Sequence, residues 1–262
     1  MKQLLSGTAV LLAMAMPASA ASVLVGSSDG TIAEVDTSNG AVSNSFDTGT
    51  QNWFDIAVDN DGNAFGVDLG STTWSIDLGT QSATSLGATG AFINGLAFGA
   101  GNTLYGSGDN NLYTIDTVSG GATVVGTGVG GNFFSSGDIA FAGGSFFGTS
   151  SNSCGGIGGD CLWSIDATSG VGTAIGDIGV SSVFGLALTG GTLFGLSSDD
   201  NIYTINTSTG AGTLATGFTL SGATNGAAVP PSAVIPVPAA LPLLATALFG
   251  LGWVGRRRRN VA

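Results

Sequence analysis

The chain has 262 residues, 46 of them Gly, with 8% charged residues, no His and a formal net charge of −12. Its basic residues are Lys2 and the run Arg256, Arg257, Arg258 and Arg259, so residues 3–255 hold no cationic side chain. That inventory excludes His-based nucleophilic chemistry, a cationic phosphate clamp and a nucleic-acid partner, since each needs a base or a positive face.

Chain order begins with Lys2, an apolar run from Leu4 to Met16, then Pro17-Ala18-Ser19-Ala20. A positive start, a short apolar stretch and a small-x-small ending predict a secretory signal peptide over residues 1–20, cut after Ala20. Its implied first partner is the Sec translocon. The apolar run is too short to span a bilayer.

A repeated unit follows, expected to fill residues 21–229. An apolar strand recurs as Asp55-Ile56-Ala57-Val58, Gly95-Leu96-Ala97-Phe98, Asp138-Ile139-Ala140-Phe141, Gly185-Leu186-Ala187-Leu188 and Gly226-Ala227-Ala228-Val229. Its central residues are spaced 40, 43, 47 and 41 apart. A second, Gly-bearing strand and a third, alternating strand follow each copy, as in Ala64-Phe65-Gly66 and Thr73-Trp74-Ser75-Ile76-Asp77. Short antiparallel strands at this period predict an all-β, five-bladed β-propeller. An open solenoid is the competing arrangement. The first copy lacks its innermost strand and the last consists of that strand alone. Asn225–Val229 is therefore expected to complete the blade begun at Leu24, a Velcro closure that removes the open edge.

The third strands end in Asp36, Asp77, Asp116, Asp166 or Asn206, with Gly40, Gly120, Gly170 and Gly210 four residues on in most copies. These endings resemble the Tyr-x-Ile-Asp-x-x-Thr-Gly repeats of the quinoprotein and surface-repeat propeller group. Asx side chains bond their own backbone and Gly supplies positive φ, so the repeated Asp are read as turn formers. Trp74, Tyr113, Trp163 and Tyr203 share one repeat position and are expected to fill space between blades, with a sugar platform as the alternative. Asp59-Asn60-Asp61-Gly62-Asn63 reads as a hairpin turn, since it lacks the distal Glu of a calcium loop. Cys154 and Cys161 are the only cysteines and enclose a Gly-rich link. In an exported protein they predict a disulfide.

Inner strands of a propeller line its axis, so equivalent positions form rings. One ring is Asp55, Gly95, Asp138, Gly185 and Gly226; the preceding ring is Phe54, Asn94, Gly137, Phe184 and Asn225. Asp55, Asn94, Asp138 and Asn225 are the candidate ligand or metal site, with Ca2+ as the candidate guest because hard cations take oxygen ligands. No cofactor is required by the sequence. Solvated strand starts without a ligand are the plainer reading. A glycoside hydrolase using Asp55 and Asp138 is the enzymatic alternative. The only Glu, Glu34, lies off the ring and nothing cationic is at hand to orient a sugar, so a non-catalytic binding or scaffold role is expected. A calcium-dependent carbohydrate-binding module is the third reading.

Residues 230–236 form a Pro-bearing linker that runs into a sorting box, and residues 237–262 an apolar span with an Arg tail. From Val237 to Val254 there are 18 uncharged residues, ~27 Å as a helix, close to one bilayer core. The four terminal Arg act as a stop-transfer signal that leaves the body outside the cytoplasm. The box Ile235, Pro236, Val237, Pro238 and Ala239, the apolar span and the Arg cluster together resemble the PEP-CTERM sorting signals of Gram-negative bacteria, in the variant named for a Val-Pro-Leu-Pro-Ala box. The likeness covers about the last thirty residues; the Glu of the standard Pro-Glu-Pro box is missing. It implies an exosortase-type membrane protease as partner, removal of the tail after transient anchoring at the inner membrane, and release to the cell surface or an exopolysaccharide matrix.

Overall fold

The computed structural model describes residues 21–49, 52–152, 154 and 158–230. The expected signal peptide, most of the expected linker and sorting box, and the apolar segment with its Arg tail lie outside the described residues. Among the described residues no helix is long and apolar enough to cross a membrane.

Among the described residues, twenty strands run in chain order. β1 (Ser22–Ser27), β2 (Thr31–Asp36) and β3 (Val42–Asp47) begin the first blade. The second blade is β4 (Trp53–Val58), β5 (Ala64–Asp68), β6 (Thr72–Asp77) and β7 (Ser82–Ala88). β8 (Gly95–Phe98), β9 (Leu104–Gly108), β10 (Asn111–Ile115) and β11 (Ala122–Val125) form the third. β12 (Ser135–Ala142), β13 (Ser145–Ser150), β14 (Cys161–Asp166) and β15 (Gly172–Asp177) form the fourth. β16 (Val183–Thr189), β17 (Thr192–Ser197), β18 (Asn201–Ile205) and β19 (Gly212–Gly217) form the fifth, and β20 (Thr224–Ala228) ends the series.

The strands make five antiparallel four-stranded sheets, one of them ordered β20-β1-β2-β3. β20 pairs with β1 in the register Leu24↔Ala228, Val25↔Ala227 and Gly26↔Gly226. The ring is therefore a five-bladed propeller closed by strand complementation between its two ends, and each inner strand is the edge that faces the axis. Ser28 Oγ and Asp29 tighten the seam. Asp29 accepts from Ser221 Oγ at 2.5 Å, and Ala223 N donates to Ser28 Oγ at 3.0 Å.

The core is divided into five apolar wedges, each between neighbouring blades. Trp53, Ile93, Phe133 and Val183 occur just before or at the start of inner strands and are each at most 2% exposed. They pack on the Gly of the second strand, and that contact explains why this Gly repeats. A Cβ on Gly66 would lie 2.6 Å from the Trp53 ring; on Gly106, 2.8 Å from Ile93; on Gly195, 2.5 Å from Ile205 and 2.9 Å from Val183. Trp163, at 4% exposure, fills the expected inter-blade space against Phe133. Trp74 meets Trp53 edge-on and donates Nε1–H to Asp68.

The Asx turns take their expected form. Ser38, Thr80, Ser119, Ser169 and Thr209 donate backbone N–H to Asp36, Asp77, Asp116, Asp166 and Asn206 at 2.7–3.1 Å. The bonds from Thr80, Ser119 and Ser169 hold the Asp77, Asp116 and Asp166 carboxyls below the usual carboxylate range. Gly40, Gly120, Gly170 and Gly210 have φ of 73°, 78°, 72° and 82°. The second blade places Gln81 there instead, at φ 59°. An L-residue is strained in that region, so Gln81→Gly should stabilise the fold by about 0.5–1 kcal/mol in chemical denaturation, less than the full steric term because Gly loses more chain entropy.

Candidate functional site

The axis is occupied at the first ring. Asp55 and Asp138 are both fully buried and stand against each other. Their four carboxyl oxygens are aimed at backbone donors. Asp55 accepts N–H of Ile56 at 2.7 Å and of Leu96 at 2.5 Å. Asp138 accepts N–H of Ile139 at 2.6 Å, Leu186 at 2.7 Å and Ala227 at 3.2 Å. The donors belong to inner strands, whose axial edges have no neighbouring strand to bond. Two side chains thus join the inner strands of all five blades.

The remaining ring members explain themselves by space. A Cβ on Gly226 would lie 2.5 Å from Asp55 Cα and 2.1 Å from its Oδ1. A Cβ on Gly95 would lie 2.4 Å from Gly137 O and 3.0 Å from Asp138 Cα. At Gly185 it would be 3.0 Å from Ala227 Cβ. The Asp55 carboxyl itself bars a side chain at Gly226, the backbone of the next inner strand and Ser107 Oγ bar one at Gly95, and at Gly185 a Cβ would be tight against Ala227.

Burial raises Asp55, the neighbouring Asp138 charge adds to the rise, and burial pushes Asp138 up to about 8. The hydrogen bond between the two carboxyls raises Asp55 and lowers Asp138. The pair therefore holds on to protons well above the usual carboxylate range and titrates as a unit,. A proton relieves the like-charge repulsion here, in a nest of N–H donors that suits an anion and opposes a cation.

The second ring is also brought together. Asn94 Nδ2 donates to Ser135 O at 3.1 Å, and Asn225 Nδ2 to Trp53 O at 2.8 Å, each reaching the next blade. Asn94, Asn225, Phe54, Gly137, Phe184 and Ser136 line a cavity of about 90 Å3 on the face where inner strands begin. A larger axial cavity, about 410 Å3, opens on the other face between Ile56–Val58 and their equivalents on the other inner strands, including Val229.

Sequence reasoning found the two rings but not the apolar groups around the smaller mouth. Phe92 and Phe134 are 40% and 46% exposed, and Leu69 57%. Phe92 meets Phe54 edge-on at 5.5 Å. They sit in irregular links and a turn whose lengths vary between blades, so no repeat position marks them. Ser136 was missed as well; its hydroxyl donates to Asp160 at 2.7 Å. Asp160, pushed up by burial, also accepts Val183 N–H at 2.8 Å.

Asp160 adjoins the disulfide, which the structure bears out: Cys154 and Cys161 are bonded, with Cα atoms 5.5 Å apart. Cys154→Ser, Cys161→Ser should lower stability by about 2.5 kcal/mol in the chain-entropy account, read as a fall in denaturation midpoint that a reductant reproduces in the wild type. Asp59 serves its own hairpin, accepting N–H of Asp61 at 2.9 Å and Asn63 at 2.8 Å. Among the described residues no group of three or more His, Cys, Asp or Glu side chains is arranged to hold a metal. No protein-family model matches the chain, and no curated protein matches it.

Proposed function

We propose that this chain is an exported, C-terminally sorted propeller that works as a non-catalytic binding or scaffold module at the cell surface or in an extracellular matrix. One observation carries the reading: the two faces of the ring are divided between attachment and contact. Ser22 pairs with Asp36 beyond the point where Leu24 meets Ala228, so the chain enters and leaves on the face where inner strands end. The tail that resembles a sorting signal starts from that face. Phe92, Phe134 and the small mouth lie on the opposite face, presented away from any membrane that holds the tail. Exposed phenyl groups around a polar centre are the usual composition of a binding patch.

A hydrolase reading draws no support from the axial carboxyls, because both are buried and bonded to backbone N–H, whereas glycoside chemistry needs two carboxyls flanking a bound sugar. The same donors argue against calcium on the axis. Melting temperature should be the same with calcium as with chelator; a calcium-dependent rise would restore the metal reading.

The test is mass spectrometry and fractionation in the native host. The mature protein should begin at Ala21, lack the residues beyond the box, and be recovered with the surface or matrix. Phe92→Ser, Phe134→Ser should keep the mature termini and lose that retention. An unprocessed chain left in the cytoplasm would overturn the proposal.

A further inference from the structure

The fifth blade breaks the repeat at its turn. Asp36, Asp77, Asp116 and Asp166 end the third strands of four blades, and Asn206 stands at that position in the fifth. Donors within the turns hold the four carboxyls below the usual carboxylate range. Each turn thus favours a charged acceptor, and a neutral amide forgoes the charge-assisted part of its bonds. What the amide brings instead is a nitrogen. Asn206-Thr207-Ser208 is the only Asn-X-Ser/Thr triplet in the chain, and that triplet is the acceptor pattern for N-glycosylation. Asp36-Thr37-Ser38 and Asp166-Ala167-Thr168 have its hydroxyl but not its amide.

The fold presents the triplet as an acceptor must be presented. Residues 206–209 are all exposed. The turn is closed through the Asn206 oxygen: Oδ1 accepts N–H of Ser208 at 2.9 Å and of Thr209 at 3.1 Å. Nδ2 takes no part in those bonds, and they polarise the amide toward losing an Nδ2 proton. Position adds a second argument. Ile205 pairs with Leu193, and Leu193 with Leu188, so Asn206 follows a strand that ends level with the end of β16. Leu188 and Val229 line the same axial cavity. Asn206 therefore lies on the face from which the tail leaves, turned toward any membrane that holds that tail.

We propose that Asn206 is the attachment site of an N-linked glycan, with a polyprenyl-pyrophosphate oligosaccharide of that membrane as the donor. The bond from Nδ2 to the anomeric carbon forms as the bond from that carbon to the pyrophosphate oxygen breaks. The lipid pyrophosphate departs with the electron pair, and the amide proton passes to a base of the transferase. The inference rests on the export reading above and adds a modification to it.

The experiment is mass spectrometry of the mature protein from its native host. Residues 3–255 offer trypsin no site, so chymotrypsin is used, cutting after Tyr203 and Leu214. Peptide 204–214 should carry a sugar mass, and electron-transfer fragmentation should place it on Asn206. Ser208→Ala keeps the backbone N–H that closes the turn yet should remove the mass entirely, whereas Ser208→Thr should retain it. Asn206→Asp makes the turn of the other four blades, so its loss of the sugar would not come from misfolding. An unmodified peptide 204–214, from protein that begins at Ala21 and is recovered outside the cytoplasm, overturns the inference and leaves the export reading standing. A sugar on Thr207, Ser208 or Thr209 instead, or one that survives Ser208→Ala, also overturns it. A chain kept in the cytoplasm with residues 1–20 in place overturns the export reading, and this inference with it.

Discussion

Cutting the chain after Gly222 should abolish the folded monomer, whereas cutting after Pro230 should leave it intact. Both variants lack the apolar tail, so their difference reports β20 alone. β20 supplies the pairing partner of β1, and Ala227 and Ala228 fill two different wedges at 2% and 6% exposure. Its Asn225 reaches Trp53 O, and its Ala227 N–H meets Asp138. Removing it uncovers a flat apolar edge at β1 and opens the wedges on both sides, an effect comparable to the ~5–15 kcal/mol that stabilises a typical domain. Light scattering and thermal unfolding are the readouts. The shorter variant should aggregate, or melt broadly and far lower. A monomer as stable as the longer variant would overturn closure as the source of the fold's stability.

The second large effect belongs to the axial acids. Asp55→Ala removes the acceptor of two buried N–H groups, Ile56 and Leu96, and should cost about 2–5 kcal/mol in mildly acidic solution, less as pH rises and the wild-type pair loses its protons,. The wild type should also lose stability as pH rises from about 4 to about 8. Asp138 titrates near 3.8 when unfolded and is pushed up to about 8 by burial. Across that window the folded state binds more protons than the unfolded chain, so raising the pH favours unfolding. Asp29 acts in the opposite sense. Burial pushes its carboxyl up, but bonds from Ser221, Ser27 and Thr31 outweigh this and bring it down to about 2. Its contribution is complete above 3.8 and is lost as pH falls toward 2. Maximum stability is therefore expected in mildly acidic solution.

Asp55→Asn separates repulsion from packing. The amide keeps an oxygen for a backbone donor, and its NH2 can donate to Asp138 in place of the shared proton. The decline between about pH 4 and 8 should flatten, at a smaller cost than Asp55→Ala. Denaturation midpoints across pH provide the check. An undiminished slope in the Asn variant would show that Asp55 and Asp138 do not share a proton.

Much of this was legible in the residues. Spacings near forty between Ile56, Leu96, Ile139, Leu186 and Ala227 state the blade number. The orphan strand at 225–229 states the closure. Asp36, Asp116 and Asp166, each followed by a Gly at positive φ, state the turns. All of these follow from local geometry: strand length, turn chemistry and the order of copies are properties of short windows. The alignment of the inner strands even placed Asp55 and Asp138 in one ring.

What those carboxyls do was decided only by assembly. Read along the chain, two Asp and two Asn near an axis look like oxygen ligands for a cation. In three dimensions the axis is surrounded by inner strands whose edge N–H groups have no ladder partner, so the carboxyls turn toward donors. The Gly at 95 and 226 look like gaps in the ring until the packed centre shows there is no space for a Cβ. Phe92 meets Phe54 through a link whose length varies between blades, and no periodicity records that. Local sequence sets how each strand turns and pairs with its neighbour. The direction in which an unpaired group finds its partner depends on atoms forty to ninety residues away, and only the closed ring brings them there.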